Sequence, residues 1–342
     1  MDYEDLGYVN WNGTLDSYNL TNTTNVTTDL PYENSKASFY EFVHLLYKYA
    51  IPMISIIGIF GNIASIKVFM FTSFGKHASC IYLTALSVSD TLFLIALLVG
   101  WMGSFDNLHI DSGAFCIISI YVTYVSSFLS VWYVVLIMID RYIVVCHPLR
   151  GPRMCSRQRA IIAVSIITTA ALLFYTHCFF MTTKRRENKS FCVFEEEDIH
   201  FLTVLTYIDT SITFIVPFLA IFVLSICVIV SIRRFHFRHF RFHEQRYYSP
   251  KFNILSKAQV RLTVMFVVVS CVFLVLNLPS HGFRFFILVN DLTRNKRNGL
   301  VLFLIQQCLQ ILYYTNFSIN FGLYVISSKS FRRCLREPCK RR

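Results

Sequence analysis

A charged pair, Asp140-Arg141, followed by Tyr142, closes a long run of mostly apolar residues. Apolar surroundings make an unpartnered full charge costly, so acid and guanidinium side by side suit an ion pair that opens and closes. A second set lies inside other apolar runs: Asn62 after Gly61, Asp90 after Leu86-Ser-Val-Ser, then Ser130, Asn316 and Asn320. A carboxylate among hydroxyls and amides can hold a proton, or a cation when ionised. The plainer reading of these polar groups is hydrogen bonding between helices. The third set stands toward the opposite ends of the runs: Trp101, Thr123, Tyr124, Asp209, His281, Arg284, Gln306 and Gln310. A guanidinium there can take a carbonyl or a carboxylate, and Asp209 an arginine or an amine. All of this is the chemistry of recognition and charge switching. No H-E-x-x-H or G-x-S-x-G motif occurs, so nothing points to an enzyme.

The runs that must position these groups recur at 45–71, 78–103, 112–146, 159–182, 201–232, 258–290 and 299–327. Each reaches the roughly 20 residues that a helix needs to cross a bilayer. They are too long for barrel strands, and only helices or closed barrels satisfy the backbone in lipid. Composition agrees: 342 residues, 55% hydrophobic, 15% charged, with a mean hydropathy of +0.51. The expected fold is an all-α membrane protein, a seven-helix transmembrane bundle with a short amphipathic eighth helix. Residues 1–44 form an extracellular amino-terminal segment, 45–327 the membrane domain and 328–342 a cytoplasmic helix with a basic tail.

Orientation follows from Lys and Arg. With the amino terminus outside, inner segments hold nineteen and outer segments eight, which satisfies the positive-inside rule. The net charge of +12 is then mainly cytoplasmic. It suits anionic lipid headgroups, and no nucleic-acid partner is expected. Residues 1–44 are polar and acidic and hold no signal-peptide-like stretch, so the first span is expected to act as its own insertion signal. Four glycosylation sequons begin at Asn12, Asn19, Asn22 and Asn25, and a fifth at Asn188 in the second outer loop. The amino-terminal segment reads as disordered and sugar-coated. Most of the eleven cysteines read as apolar fillers within spans. Cys116 and Cys192 both face the oxidising side, where a bridge can persist. Cys334 and Cys339 follow the last span among basic residues, a setting that suits palmitoylation or leaves idle thiols.

The run Asp140-Arg141-Tyr142 to Pro148-Leu149, D-R-Y-x-x-V-x-x-P-L, resembles the rhodopsin-like (class A) G-protein-coupled receptors. Phe273 and Pro279 match that family's sixth-span motif, and Asn320 with Tyr324 its seventh-span motif. Several positions depart from the pattern. Asn277 stands where tryptophan is common, Leu276 where cysteine is and Ser225 where tyrosine is, Phe321 replaces the expected proline, and the fourth span lacks the tryptophan most members have. The stretch Asn316-Phe-Ser-Ile-Asn320-Phe is similar to invertebrate neuropeptide receptors of the FMRFamide and myosuppressin group.

The resemblance implies a Cys116–Cys192 disulfide. It implies a sodium and water site at Asp90 and Ser130 with Asn316 and Asn320 nearby, a protonated structural Asp90 being the alternative. Leu149 is then an apolar knob for the G protein, and Asp140 the resting partner of Arg141. Gln259 stands where some members place an acid facing Arg141, so a hydrogen bond would replace that ion pair. Asn277 is free to join the central polar cluster. Biogenic amines are disfavoured, because Thr123 occupies the place of the amine receptors' aspartate; Tyr314 occupies that of the opsin lysine.

The implied function is a plasma-membrane receptor for an extracellular neuropeptide that activates a heterotrimeric G protein when the sixth helix opens about Pro279. Arrestin and receptor kinases are partners by resemblance, membrane lipids by charge. The cofactor call is none beyond a possible allosteric Na+. A non-peptide small-molecule ligand is the alternative. A transporter would show repeat symmetry and broken helices, which the sequence lacks.

Overall fold

The computed structural model describes residues 30–72, 78–103, 113–149, 151–180, 182–186, 189–193, 199–243, 257–290 and 296–336. The long helices are α1 (Leu30–Phe71), α2 (Ser79–Gly103), α3 (Gly113–Cys146) and α4 (Arg157–Phe174, continued by a 3-10 turn over Tyr175–Phe180). A one-turn helix, Gly151–Met154, joins α3 to α4. α5 is composite: Ile199–Thr210, a π turn over Ser211–Ile215, then Val216–His243. α6 (Lys257–Asn290), α7 (Lys296–Ser327) and the short α8 (Lys329–Arg336) follow. The protein is a seven-helix bundle with an eighth helix at the inner end. β1 (Thr182–Arg186) and β2 (Lys189–Val193) form an antiparallel hairpin in the second outer loop.

Six of the described helices are long and apolar enough to cross a membrane. The seventh, α7, carries Gln306, Gln307, Gln310, Asn316 and Asn320, which lower its apolarity. It is held by packing on α1 and α6. α3 is the axis of the bundle and touches α2, α4, α5 and α6. Its most apolar window is 61% buried, against 17% for α4, which lies at the edge. Large apolar side chains such as Phe60, Leu173, Leu219 and Val275 point outward. In water so many would be an aggregation liability; in a bilayer they meet hydrocarbon.

α1 comes close to α7 because Gly58 and Gly61 have no side chain. A Cβ on Gly58 would stand 2.7 Å from Ser318 Cβ and 2.9 Å from its Cα, and one on Gly61 2.9 Å from Phe321 Cβ. Phe321, the replacement for the expected proline, therefore packs against a glycine. The helix continues unbroken through it to Ser327.

One boundary differs from the sequence reading. α1 begins at Leu30 rather than 45, and its outer part is anchored where Val43 and Tyr47 pack with Ile51 and Leu304. The apolar-run criterion missed it because residues 30–44 are mostly polar. α8 has the expected amphipathic character: Phe331 and Cys334 face inward, while Lys329, Arg333 and Arg336 are exposed. Ser328 Oγ accepts from Phe331 N at 3.2 Å, and Arg332 donates to Ile326 O at 3.0 Å, which ties α8 to the end of α7. Cys334, read from the sequence as an acylation site or an idle thiol, packs inward against the bundle.

Candidate functional site

At the inner end, Arg141 Nε donates to Asp140 Oδ2 at 3.1 Å, and its Nη2 donates to the same oxygen and to Ser79 Oγ. Ser79, the first residue of α2, donates to Asp140 Oδ2 at 2.8 Å. Both charges are largely buried, which strengthens the attraction between carboxylate and guanidinium. This is the ion pair among the described residues. The Arg141 guanidinium carbon also lies 5.1 Å from the centre of the Phe266 ring on α6. Beside it, burial and then the Asp140 carboxylate push the Cys155 thiol up to about 12, so it stays protonated and donates to Asp140 O. Tyr142 meets His147 edge-on, and Leu149 stands 89% exposed on the inner surface.

At mid-depth Asp90 is fully buried. Ser130 donates to its Oδ1 and Asn320 Nδ2 to its Oδ2, each at 2.7 Å. One carboxylate thus joins α2, α3 and α7. Asn62 Nδ2 donates to Phe317 O at 2.9 Å, which adds α1. Asn316 Nδ2 and Tyr324 Oη are buried without a hydrogen-bond partner among the described residues. The Tyr324 ring packs on Phe69 of α1 and Phe331 of α8. The Asp90 carboxylate and the Ser130 hydroxyl are hard oxygen ligands of the kind an alkali cation accepts, whereas Asn320 turns its Nδ2 to the carboxylate. Asn277 does not join this cluster as read. Its Nδ2 turns back to Phe273 O at 2.7 Å on the same helix, and its Oδ1 has no partner among the described residues. Phe273 meets Phe218 of α5, with Pro279 within α6 between this level and the outer cup.

In the outer half the structure gathers Tyr124, Asp209, His281 and Arg284. Tyr175 Oη donates to Asp209 Oδ1 at 2.5 Å. Arg284 lies near that carboxylate and within hydrogen-bonding reach of Tyr124, without an ion pair to Asp209. His281 stacks on Phe214 at 5.4 Å and meets Tyr313 edge-on at 5.1 Å, which makes an aromatic floor. Tyr313 reaches Ser127 of α3 at 2.5 Å. Gln310 Oε1 accepts from Ser280 Oγ at 2.9 Å and Gln306 Nε2 donates to the same Ser280 Oγ at 3.3 Å, so both glutamines join α7 to α6, while Gln306 Oε1 is buried without a partner among the described residues. Thr123 bonds Ser119 O of its own helix at 2.8 Å. Trp101 packs in a separate aromatic cluster with Tyr47 and Leu304.

The π turn of α5 places Asp209. Trp132 Nε1 donates to Ile212 O at 3.1 Å, and Thr213 Oγ1 to Asp209 O at 2.6 Å. One extra residue in the turn rotates the outer part of α5 relative to the inner part. Tyr175, Tyr313, Ser127 and Phe214 were not singled out from sequence. Nothing in an aromatic residue's spacing distinguishes a cup wall from a lipid-facing surface. The side chains of Cys116 and Cys192, the sequons at Asn12, Asn19, Asn22, Asn25 and Asn188, and Cys339 lie outside the described residues. β2, the strand of Cys192, runs beside α3.

Residues 61–324 match the model of the 7 transmembrane receptor (rhodopsin family). The chain is also 24% identical over 247 residues to a protein named cysteinyl leukotriene receptor 1 from Cavia porcellus; the match covers 70% of this chain and 68% of that one.

Proposed function

Because this chain belongs to the rhodopsin family of seven-transmembrane receptors, and is therefore a G-protein-coupled receptor and not an enzyme, we propose that it reads an extracellular ligand through the charge of Arg284. The observation that carries this is the division of charges in the cup. Tyr175 occupies Asp209 Oδ1, while Arg284 has no ion pair among the described residues and faces an aromatic floor. A guanidinium so placed favours a ligand that brings an acceptor or an acid. A short peptide supplies that group as a backbone carbonyl, a terminal carboxylate or an acidic side chain, with aromatic side chains for His281 and Tyr313. A non-peptide acid is the second reading, favoured by a relative named for a leukotriene.

The amino terminus lies outside, the chain resides in the plasma membrane, and the sequons carry sugar. Cys116 and Cys192 bridge α3 to the hairpin. A sodium ion held by Asp90 and Ser130 favours the closed state. An agonist favours the state open at the inner end by binding it more tightly. α6 swings about Pro279, and Arg141 and Leu149 engage the G protein; arrestin and receptor kinases follow on the same face.

The test is a screen of amidated peptides, free-acid peptides and acidic lipids on cells that carry a promiscuous G-protein reporter. The same screen is run with Arg284→Ala at matched surface level. Agonists that lose potency in Arg284→Ala support the site. An agonist of full potency there removes Arg284 from it, and the peptide and lipid arms decide the ligand class.

A further inference from the structure

We infer that Phe266 is the positioning residue that holds Arg141 at rest, through the face of its ring rather than through a carboxylate. The inner end of α6, Lys257 to Phe266, contains no acid; its charged residues are Lys257 and Arg261. An ion pair from this stretch to Arg141 is therefore impossible. α6 brings the Phe266 ring to the guanidinium, 5.1 Å away and 2% exposed. The face of an aromatic ring carries negative quadrupole density, and the attraction to a cation grows when water is excluded. The other bonds of Arg141 go to Asp140 on α3 and Ser79 on α2. Neither moves when α6 swings, so those bonds do not sense the position of α6. The ring does, because it rides on the moving helix. The contact also fixes where the guanidinium lies, held between Asp140 and a ring.

This inference rests on the reading that Arg141 engages the G protein, and the first measurement below needs neither a ligand nor a G protein. Full-length receptor in lipid nanodiscs carries spin labels on bio-orthogonal residues in place of the exposed Lys67 of α1 and Arg261 of α6. The distance distribution reports α6. Phe266→Leu keeps an apolar side chain and removes the quadrupole, and it should raise the outward population about tenfold. Phe266→Tyr keeps the ring face and should stay near the parent. In an Arg141→Gln background, which has no cation, Phe266→Leu should add no further shift. Should Phe266→Leu fail to fold, Phe266→Met makes the same comparison. Leu and Tyr giving one distribution, or Leu acting equally in the Arg141→Gln background, would reduce the contact to packing and overturn the inference. Basal nucleotide exchange by added heterotrimeric G protein is then read on the same samples. A helix that moves as described without stimulating exchange keeps the ring contact and overturns the coupling reading.

Discussion

Arg284 and Asp209 are opposite charges in one cup that form no ion pair, because Tyr175 takes the carboxylate and Tyr124 faces the guanidinium. That arrangement separates their mutants. Arg284→Ala should weaken agonist potency by about 2–5 kcal/mol at normal surface level. Arg284→Lys should recover part, since an ammonium lacks the planar fork. Asp209→Asn keeps a partner for Tyr175 and should leave potency near normal, so surface-normalised dose curves of all three decide the assignment. Asp90 is the second residue-scale case. Its two oxygens receive Ser130 and Asn320. Sodium should lower agonist affinity, and Asp90→Asn should remove that effect by linkage. Radioligand competition with and without sodium checks this, and an undiminished sodium effect in Asp90→Asn would take the ion out of the account. The sequence marked Arg284, Asp209 and Asp90 because charges in apolar runs are rare. It could not mark Tyr175 or Phe266, since an aromatic residue in such a run is ordinary.

Each long helix was legible from its apolar run, whereas local breaks in helical form were not. The π turn of α5 depends on a carbonyl, Ile212 O, that Trp132 of another helix takes up. No signal within residues 211–215 announces a donor eighty positions earlier. The hairpin β1–β2 is similar: its strands carry Lys184, Arg185, Arg186 and Lys189 and lack a regular polar–apolar alternation. Its place beside α3 bears on the disulfide. β2 runs beside α3, the helix of Cys116, so a bridge would pin the hairpin to that helix. Cys116→Ser and Cys192→Ser should each depress ligand binding, and the double variant should be no worse than either single one. Saturation binding measures this, and additive losses would argue for two independent roles.

At the scale of the molecule, stability rests on how near the helices approach. Gly58 lets α1 lie on Ser318 of α7 and Leu94 of α2. Gly58→Ala places a carbon within 2.9 Å of the Ser318 backbone, which cannot rotate away as a side chain tip could. The helices must part, at a cost of about 1–3 kcal/mol. Purified Gly58→Ala should therefore melt several degrees below the parent in a thermal unfolding assay, whereas Gly282→Ala, where an added Cβ meets nothing within 4 Å, should melt close to it. The sequence by itself determined the bundle and suggested its orientation and the depth of each charge. Those follow from hydropathy and charge along one dimension, and a bilayer sorts residues along that same dimension. Only the tertiary structure decided which charges meet. Asp209 goes to Tyr175, Asn277 turns to its own helix, and Arg141 meets the Phe266 ring of α6. Rotation of each helix about its axis sets these pairings, and that rotation is fixed by packing between helices, by the π turn of α5 and by glycine contacts that no single segment encodes.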